Sequence, residues 1–125
     1  MRKRATPLQK KAKRGFRGYP LATVAFYGPD ARRASKVAVG VIADESGEVV
    51  DLKRWLLDTA DVRTDPTIGN SIEKFIRERG VRSVVMTDRI IGCPHEEGVD
   101  YPVGQACPQC PYWAHRDRFS GERMQ

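Results

Sequence analysis

The stretch Asp65-Pro66-Thr67-Ile68-Gly69-Asn70-Ser71-Ile72-Glu73-Lys74-Phe75-Ile76-Arg77-Glu78-Arg79-Gly80 runs directly into Val81-Arg82-Ser83-Val84-Val85-Met86-Thr87. Asp65 is a helix-capping residue, and Pro66 suits a first helical position because its φ is fixed and its missing donor is not needed there. Ile68, Ile72, Phe75 and Ile76 recur at i, i+4, i+7 and i+8, which makes one apolar stripe. Arg77 and Arg79 bring positive charge to the last turn, and Gly80 allows a left-handed stop. The stretch predicts an amphipathic helix that ends where a strand rich in β-branched residues begins. A helix with one apolar face needs a sheet to cover, so the fold is of the α+β class.

Working back from the helix, Leu21-Ala-Thr-Val-Ala-Phe-Tyr27 is rich in β-formers and stops at the turn signal Gly28-Pro29-Asp30. Residues 36–44 (KVAVGVIAD) are mostly apolar and read as a central strand. Glu45-Ser46-Gly47 reads as a hairpin loop, and residues 48–53 (EVVDLK) as a more polar strand towards an edge. Arg54-Trp55-Leu56-Leu57 is expected to form a turn or short helix, with Trp55 and Leu56 covering the core. The predicted order is β-β-β-α-β: a small, mostly antiparallel sheet of about four strands, one main helix, and a C-terminal loop stapled by the cysteine-histidine segment 92–115. One α+β domain is expected over 19–125, preceded by a disordered basic tail over 1–18.

The tail carries the charge. Arg2, Lys3, Arg4, Lys10, Lys11, Lys13, Arg14 and Arg17 lie in the first 18 residues with no acid. The other 14 Lys and Arg face all 16 Asp and Glu, so the net +6 belongs to the tail and the body is slightly acidic. Such an arm suits a phosphate backbone, with Phe16 and Tyr19 placed to stack on bases or to anchor the tail. No segment reaches the ~18 apolar residues of a membrane span. The basic start is not followed by an apolar run, so a secretory signal is not expected and the cytoplasm is the default.

All three cysteines fall between Cys93 and Cys110, in Cys93-Pro94-His95 and Cys107-Pro108-Gln109-Cys110. Two thiolates two residues apart can grip one ion, and Cys-x-His can chelate from the other side. The reading is one structural Zn2+ bound by Cys93, His95, Cys107 and Cys110 within segment 92–115, with His115 a rival for the fourth position. The bland alternative is a Cys107–Cys110 redox pair with Cys93 buried. His95-Glu96-Glu97 followed by Cys107-Pro-Gln-Cys110 also matches the zinc deaminase pattern superficially, with Cys93 as bystander. That pattern sets its motifs at the starts of two helices. The segment between them here is too short and too rich in Gly and Pro for that. Three sulfurs and one nitrogen close the zinc shell, which argues for architecture rather than chemistry at the metal.

Three acids sit where a two-metal nuclease would want them: Asp30 after the first strand, Glu73 on the helix and Asp88 after Met86-Thr87. Together with the β-β-β-α-β order they resemble the first half of a ribonuclease H-like fold over about 65 residues. The resemblance implies two magnesium ions held by these acids. Asp30 lies beyond Gly28-Pro29 rather than within the strand, and the family's remaining elements have no room before the cysteines, so it implies a truncated, inactive relative. Asp88-Arg-Ile-Ile-Gly-Cys-Pro-His-Glu-Glu-Gly-Val-Asp-Tyr-Pro, closing with Cys-Pro-Gln-Cys-Pro-Tyr-Trp, resembles a small family of bacterial proteins over roughly 21–123. That likeness implies a bacterial cytosolic setting and no particular activity.

After the knuckle, Tyr112, Trp113 and Phe119 alternate with Arg116 and Arg118. The aromatics suit packing of the zinc loop on the sheet, or base stacking with the arginines on phosphates. The leading expectation is a nucleic-acid-binding protein, RNA in particular, using the basic tail and the zinc-side face. A protein-interaction module and a metal-dependent hydrolase or nuclease are the alternatives.

Overall fold

The computed structural model describes residues 7–105 and 107–113. Its elements are α1 (Pro7–Lys13), β1 (Leu21–Tyr27), β2 (Lys36–Ile42), β3 (Val49–Leu56), α2 (Pro66–Glu78) and β4 (Ser83–Ile90), closed by a 3-10 turn at Pro111–Trp113. The strands form one sheet in the order β3-β2-β1-β4. β1 pairs antiparallel with β2 from Leu21↔Ile42 to Tyr27↔Lys36, and β2 pairs antiparallel with β3. β4 lies parallel to β1 on its other side, in register from Leu21↔Ser83 with an irregularity between Val24 and Phe26. A parallel neighbour needs a long crossover, and α2 supplies it between β3 and β4.

α2 forms as its sequence predicts. The Asp65 carboxylate accepts from the Ile68 amide at 2.9 Å, and Ile68, Ile72, Phe75 and Ile76 are the buried positions. Gly80 follows at φ 64, a conformation that glycine adopts without strain. The stripe lies on Ala22, Val24 and Phe26 of β1, Val37, Val39 and Val41 of β2, and Val84 and Ile90 of β4. Fully burying each of the larger side chains contributes roughly 1.5–3 kcal/mol.

Two expectations are corrected. The tail is not disordered from residue 7 onward. Pro7–Lys13 is helical, Leu8 is buried in the core, and Ala12 packs beside it. The physical reason is an i, i+4 apolar pair that reaches the core. The chain after the helix is also held: the Arg17 amide donates to Ser83 Oγ at 2.7 Å, and that hydroxyl donates to the Gly18 carbonyl at 2.6 Å. Residues 54–56 are not a turn or helix but the end of β3, because the ladder continues through Val37↔Trp55 and Lys36↔Leu56. Trp55 covers the core as expected, set edge-on to Phe75 at 5.7 Å with its indole N–H on Ser71 Oγ. Leu56 alternates to the opposite face and is 66% exposed.

Candidate metal centre

Pairing continues past the ends of β1 and β4. The Ile91 amide donates to the Phe26 carbonyl and the Gly28 amide to the Gly92 carbonyl, both at 2.9 Å. These bonds deliver Cys93 to the C-terminal end of β1. Only glycine fits at 28, because a Cβ there would lie 1.9 Å from the Arg33 carbonyl oxygen. The loop then folds on itself. The Gly98 amide donates to the Tyr101 carbonyl and the Asp100 amide to that of Glu96, both at 2.7 Å. Glu96 and Gly104 amides donate to the carboxylates of Asp100 and Glu97. Tyr101 is buried with Cys107 and Cys110 in a small second cluster.

The donor atoms of Cys93, His95, Cys107 and Cys110 all lie within 4.8 Å of one another. His95 Nδ1 is 3.2 Å from Cys93 Sγ and 3.5 Å from both Cys107 Sγ and Cys110 Sγ. A tetrahedral zinc with ordinary Zn–S and Zn–N bonds has N···S edges of about 3.6 Å. The side chains therefore stand close to the corners of a coordination tetrahedron, with Nδ1 as the histidine's donor. The His95 amide donates to Cys93 Sγ at 3.2 Å, which supports that sulfur as a thiolate. Burial pushes the Cys93 thiol far above its ordinary pKa, and the neighbouring Cys110 and Cys107 sulfurs add to the shift against the His95 amide. Burial likewise raises Cys110. Three thiolates so placed repel one another, and a divalent cation among them removes that cost. The donor set fits a metal ion.

The loop is braced to the sheet by side chains that its own pattern does not reveal. The Lys36 ammonium, almost wholly buried, donates to the Pro94 carbonyl at 2.9 Å and lies 3.4 Å from Glu96. Arg54 reaches the other oxygen of Glu96 at 2.8 Å. Trp113 packs against both apolar clusters and donates its indole N–H to the Gly28 carbonyl at 2.8 Å. Trp113 thus takes the packing role, and Tyr112 sits edge-on to it at 4.9 Å. An open cleft of about 440 Å³ flanks the cluster, with Arg33, Lys36, Arg54, His95 and Glu96 among its lining. Its cations are already engaged, Arg33 with the Asp58 carbonyl and the other two with Glu96. Lys36, Arg54 and Tyr101 were not singled out by sequence; Lys36 simply opens an apolar strand, and only the tertiary pairing shows its task.

The other candidate residues are scattered. Among the described residues, Cys93, His95, Cys107 and Cys110 form the one group of three or more His, Cys, Asp or Glu side chains able to share a metal ion. Asp30 is tied into its turn by the Arg32 and Arg33 amides. Glu73 on α2 faces Lys11 of α1 at 4.0 Å. Asp88 falls within β4 rather than beyond it. Glu96 and Glu97, the would-be bases of a deaminase, are held by Lys36, Arg54 and the Gly104 amide, and Cys93 occupies the corner that a catalytic water would need. Lys10, Lys13, Arg14 and Arg17 are exposed, and Lys11 is half-buried. Arg17 sits at the start of β4, on the order of 20 Å along the strand from the cluster. Arg2, Lys3, Arg4, His115, Arg116, Arg118 and Phe119 lie outside the described residues. No family model matches the chain, and no curated protein or solved structure matches it either.

Proposed function

We propose that Cys93, His95, Cys107 and Cys110 hold one zinc ion, and that the ion is structural, fixing the C-terminal loop against the end of the sheet. The observation that carries this reading is the convergence of three sulfurs on His95 Nδ1 at distances close to tetrahedral edges. The donor types favour zinc, since thiolates with one imidazole are its usual structural shell. A complete shell leaves no open position, so the ion's effect is felt through folding. Hydrogen exchange on the full chain, with and without a strong chelator, tests the role. Chelation is expected to strip protection from residues 92–113 while β1, β2 and α2 keep theirs. Unchanged exchange across 92–113 would refute a structural ion.

A second reading concerns a partner: single-stranded RNA bound through the N-terminal basic residues. It is favoured by the exposure of Lys10, Lys13, Arg14 and Arg17 on and just after a docked helix. A docked helix presents these charges from a fixed position. Binding should weaken linearly in log–log salt, and each phosphate contact removed should flatten the slope by about 0.7. Replacing the four residues by Gln should therefore reduce the slope by about 2–3 units. An unchanged slope would contradict this reading.

A further inference from the structure

The segment between α1 and β1 is fixed on both sides of an aromatic ring that stays in solvent. The Arg14 amide donates to the Lys11 carbonyl and the Gly15 amide to that of Ala12, both at 3.2 Å, which closes α1. Beyond Phe16, the Arg17 amide donates to Ser83 Oγ at 2.7 Å. Tyr19 is half-buried and meets Phe16 edge-on, with ring centroids 5.1 Å apart. Tyr19 therefore anchors the segment, while Phe16 is 58% exposed. A single exposed apolar residue is ordinary, but the surroundings of this one are not. Lys13, Arg14 and Arg17 are exposed beside it, and residues 1–18 hold no acid. The Arg82 guanidinium lies against Gly18, where a Cβ would be 3.2 Å from its Nη1. Lys11 is engaged with Glu73, but no carboxylate pairs with Lys10, Lys13, Arg14, Arg17 or Arg82 among the described residues.

We propose that Phe16 is a base-stacking platform: one unpaired base of a single strand lies on its ring, with Arg14, Arg17 and Arg82 on the flanking phosphates. This rests on the single-stranded RNA reading above and adds the residue that recognises the base. Charge and ring together choose the ligand class. A nucleic-acid strand offers one π face and one phosphate per nucleotide, and a ring set among unpaired cations complements both. An acidic peptide offers the charge without a repeating π face. In a duplex the base faces are covered by their neighbours and only phosphates remain for the cations, so the platform selects single strands. Stacking tolerates any base, so no sequence preference is expected from this residue alone. The backbone on both sides of the ring is already held, so little order is lost when a base arrives.

Binding of a short RNA oligoadenylate by the full chain, followed over a salt series, is the test, with inorganic polyphosphate and oligoglutamate as the other probes. Phe16→Ala should weaken oligoadenylate binding about tenfold. It should leave the salt slope and the binding of polyphosphate unchanged, because no cation is removed. Phe16→Leu is apolar without a π face and should lose as much as Phe16→Ala. Phe16→Trp should bind at least as tightly as the native chain. The position is exposed, so all three variants should keep the native circular dichroism spectrum. Salt-dependent binding that Phe16→Ala leaves intact overturns the platform and leaves the electrostatic reading in place. No oligoadenylate binding, or binding indifferent to salt, overturns that reading and the platform with it. Native affinity in Phe16→Leu overturns stacking, and oligoglutamate bound more tightly than oligoadenylate overturns it in favour of an acidic protein partner.

Discussion

At the scale of the residue, Asp61 ties the β1–β2 loop to the segment before α2. Its carboxylate accepts from the Ala34 amide at 3.1 Å and from Arg63, whose guanidinium reaches it at 2.6 Å. Burial acts to raise its pKa, but the Arg63 hydrogen bonds and the Ala34 and Arg63 amides outweigh it and bring the value to about 2. A depressed carboxylate stabilises the fold above its ordinary pKa of 3.8 and loses that contribution as pH falls towards 2. After discounting for its exposure, the effect is about 1 kcal/mol. Asp61→Asn should therefore cost about that much at pH 7 and nothing near pH 2, measured by denaturant unfolding at both. Trp113→Phe should keep the packing, lose the bond to Gly28, and cost about 1 kcal/mol. The convergence of Cys93, His95, Cys107 and Cys110 was legible from residues alone because Cys-x-His and Cys-x-x-Cys spacing is the kind that gathers thiolates and an imidazole. The bracing by Lys36 was not, because a lysine at the start of a strand is ordinarily solvated. Here its ammonium is claimed by a carbonyl and a carboxylate 58 and 60 positions further on.

At the scale of the element, legibility tracks length and period. α2 shows its stripe over 13 residues and carries a cap and a stop, so its bounds read off almost directly. α1 has seven residues and one large apolar side chain, too little for a period to register. Its helix exists because Leu8 and Ala12 find the core, a tertiary cause that local propensity cannot report. Leu8→Ala should cost about 2–3 kcal/mol and release residues 7–13 to fast exchange, with β1 and β2 protection falling only by the global loss. Equal loss of protection everywhere would mean that α1 is integral to the cooperative core. The end of β3 is hidden in the sequence for a related reason. Arg54-Trp55-Leu56-Leu57 looks like a run, but alternation sends Trp55 to α2 and Leu56 to the open face.

At the scale of the whole molecule, one helical layer covers one face of a four-stranded sheet, and the Cys/His loop closes the end where β1 and β4 finish. The succession of elements along the chain was legible in the alternation of runs and turns, but their order in the sheet was not. The parallel placement of β4 beside β1 follows from the length of the α2 crossover. Among its described residues the loop buries little apolar surface beyond Tyr101 and two cysteines, so the proposed ion would be the means by which it holds its shape. Cys110→Ser should accordingly abolish stoichiometric binding and loosen the loop, while α2 and β1 stay folded. The most direct measurement is the metal content of the protein purified without added chelator, by elemental analysis together with a thiol count. The expected result is one zinc per chain and three thiols that become reactive only on chelation. A metal-free, fully folded protein with Cys107 and Cys110 joined in a disulfide would contradict it.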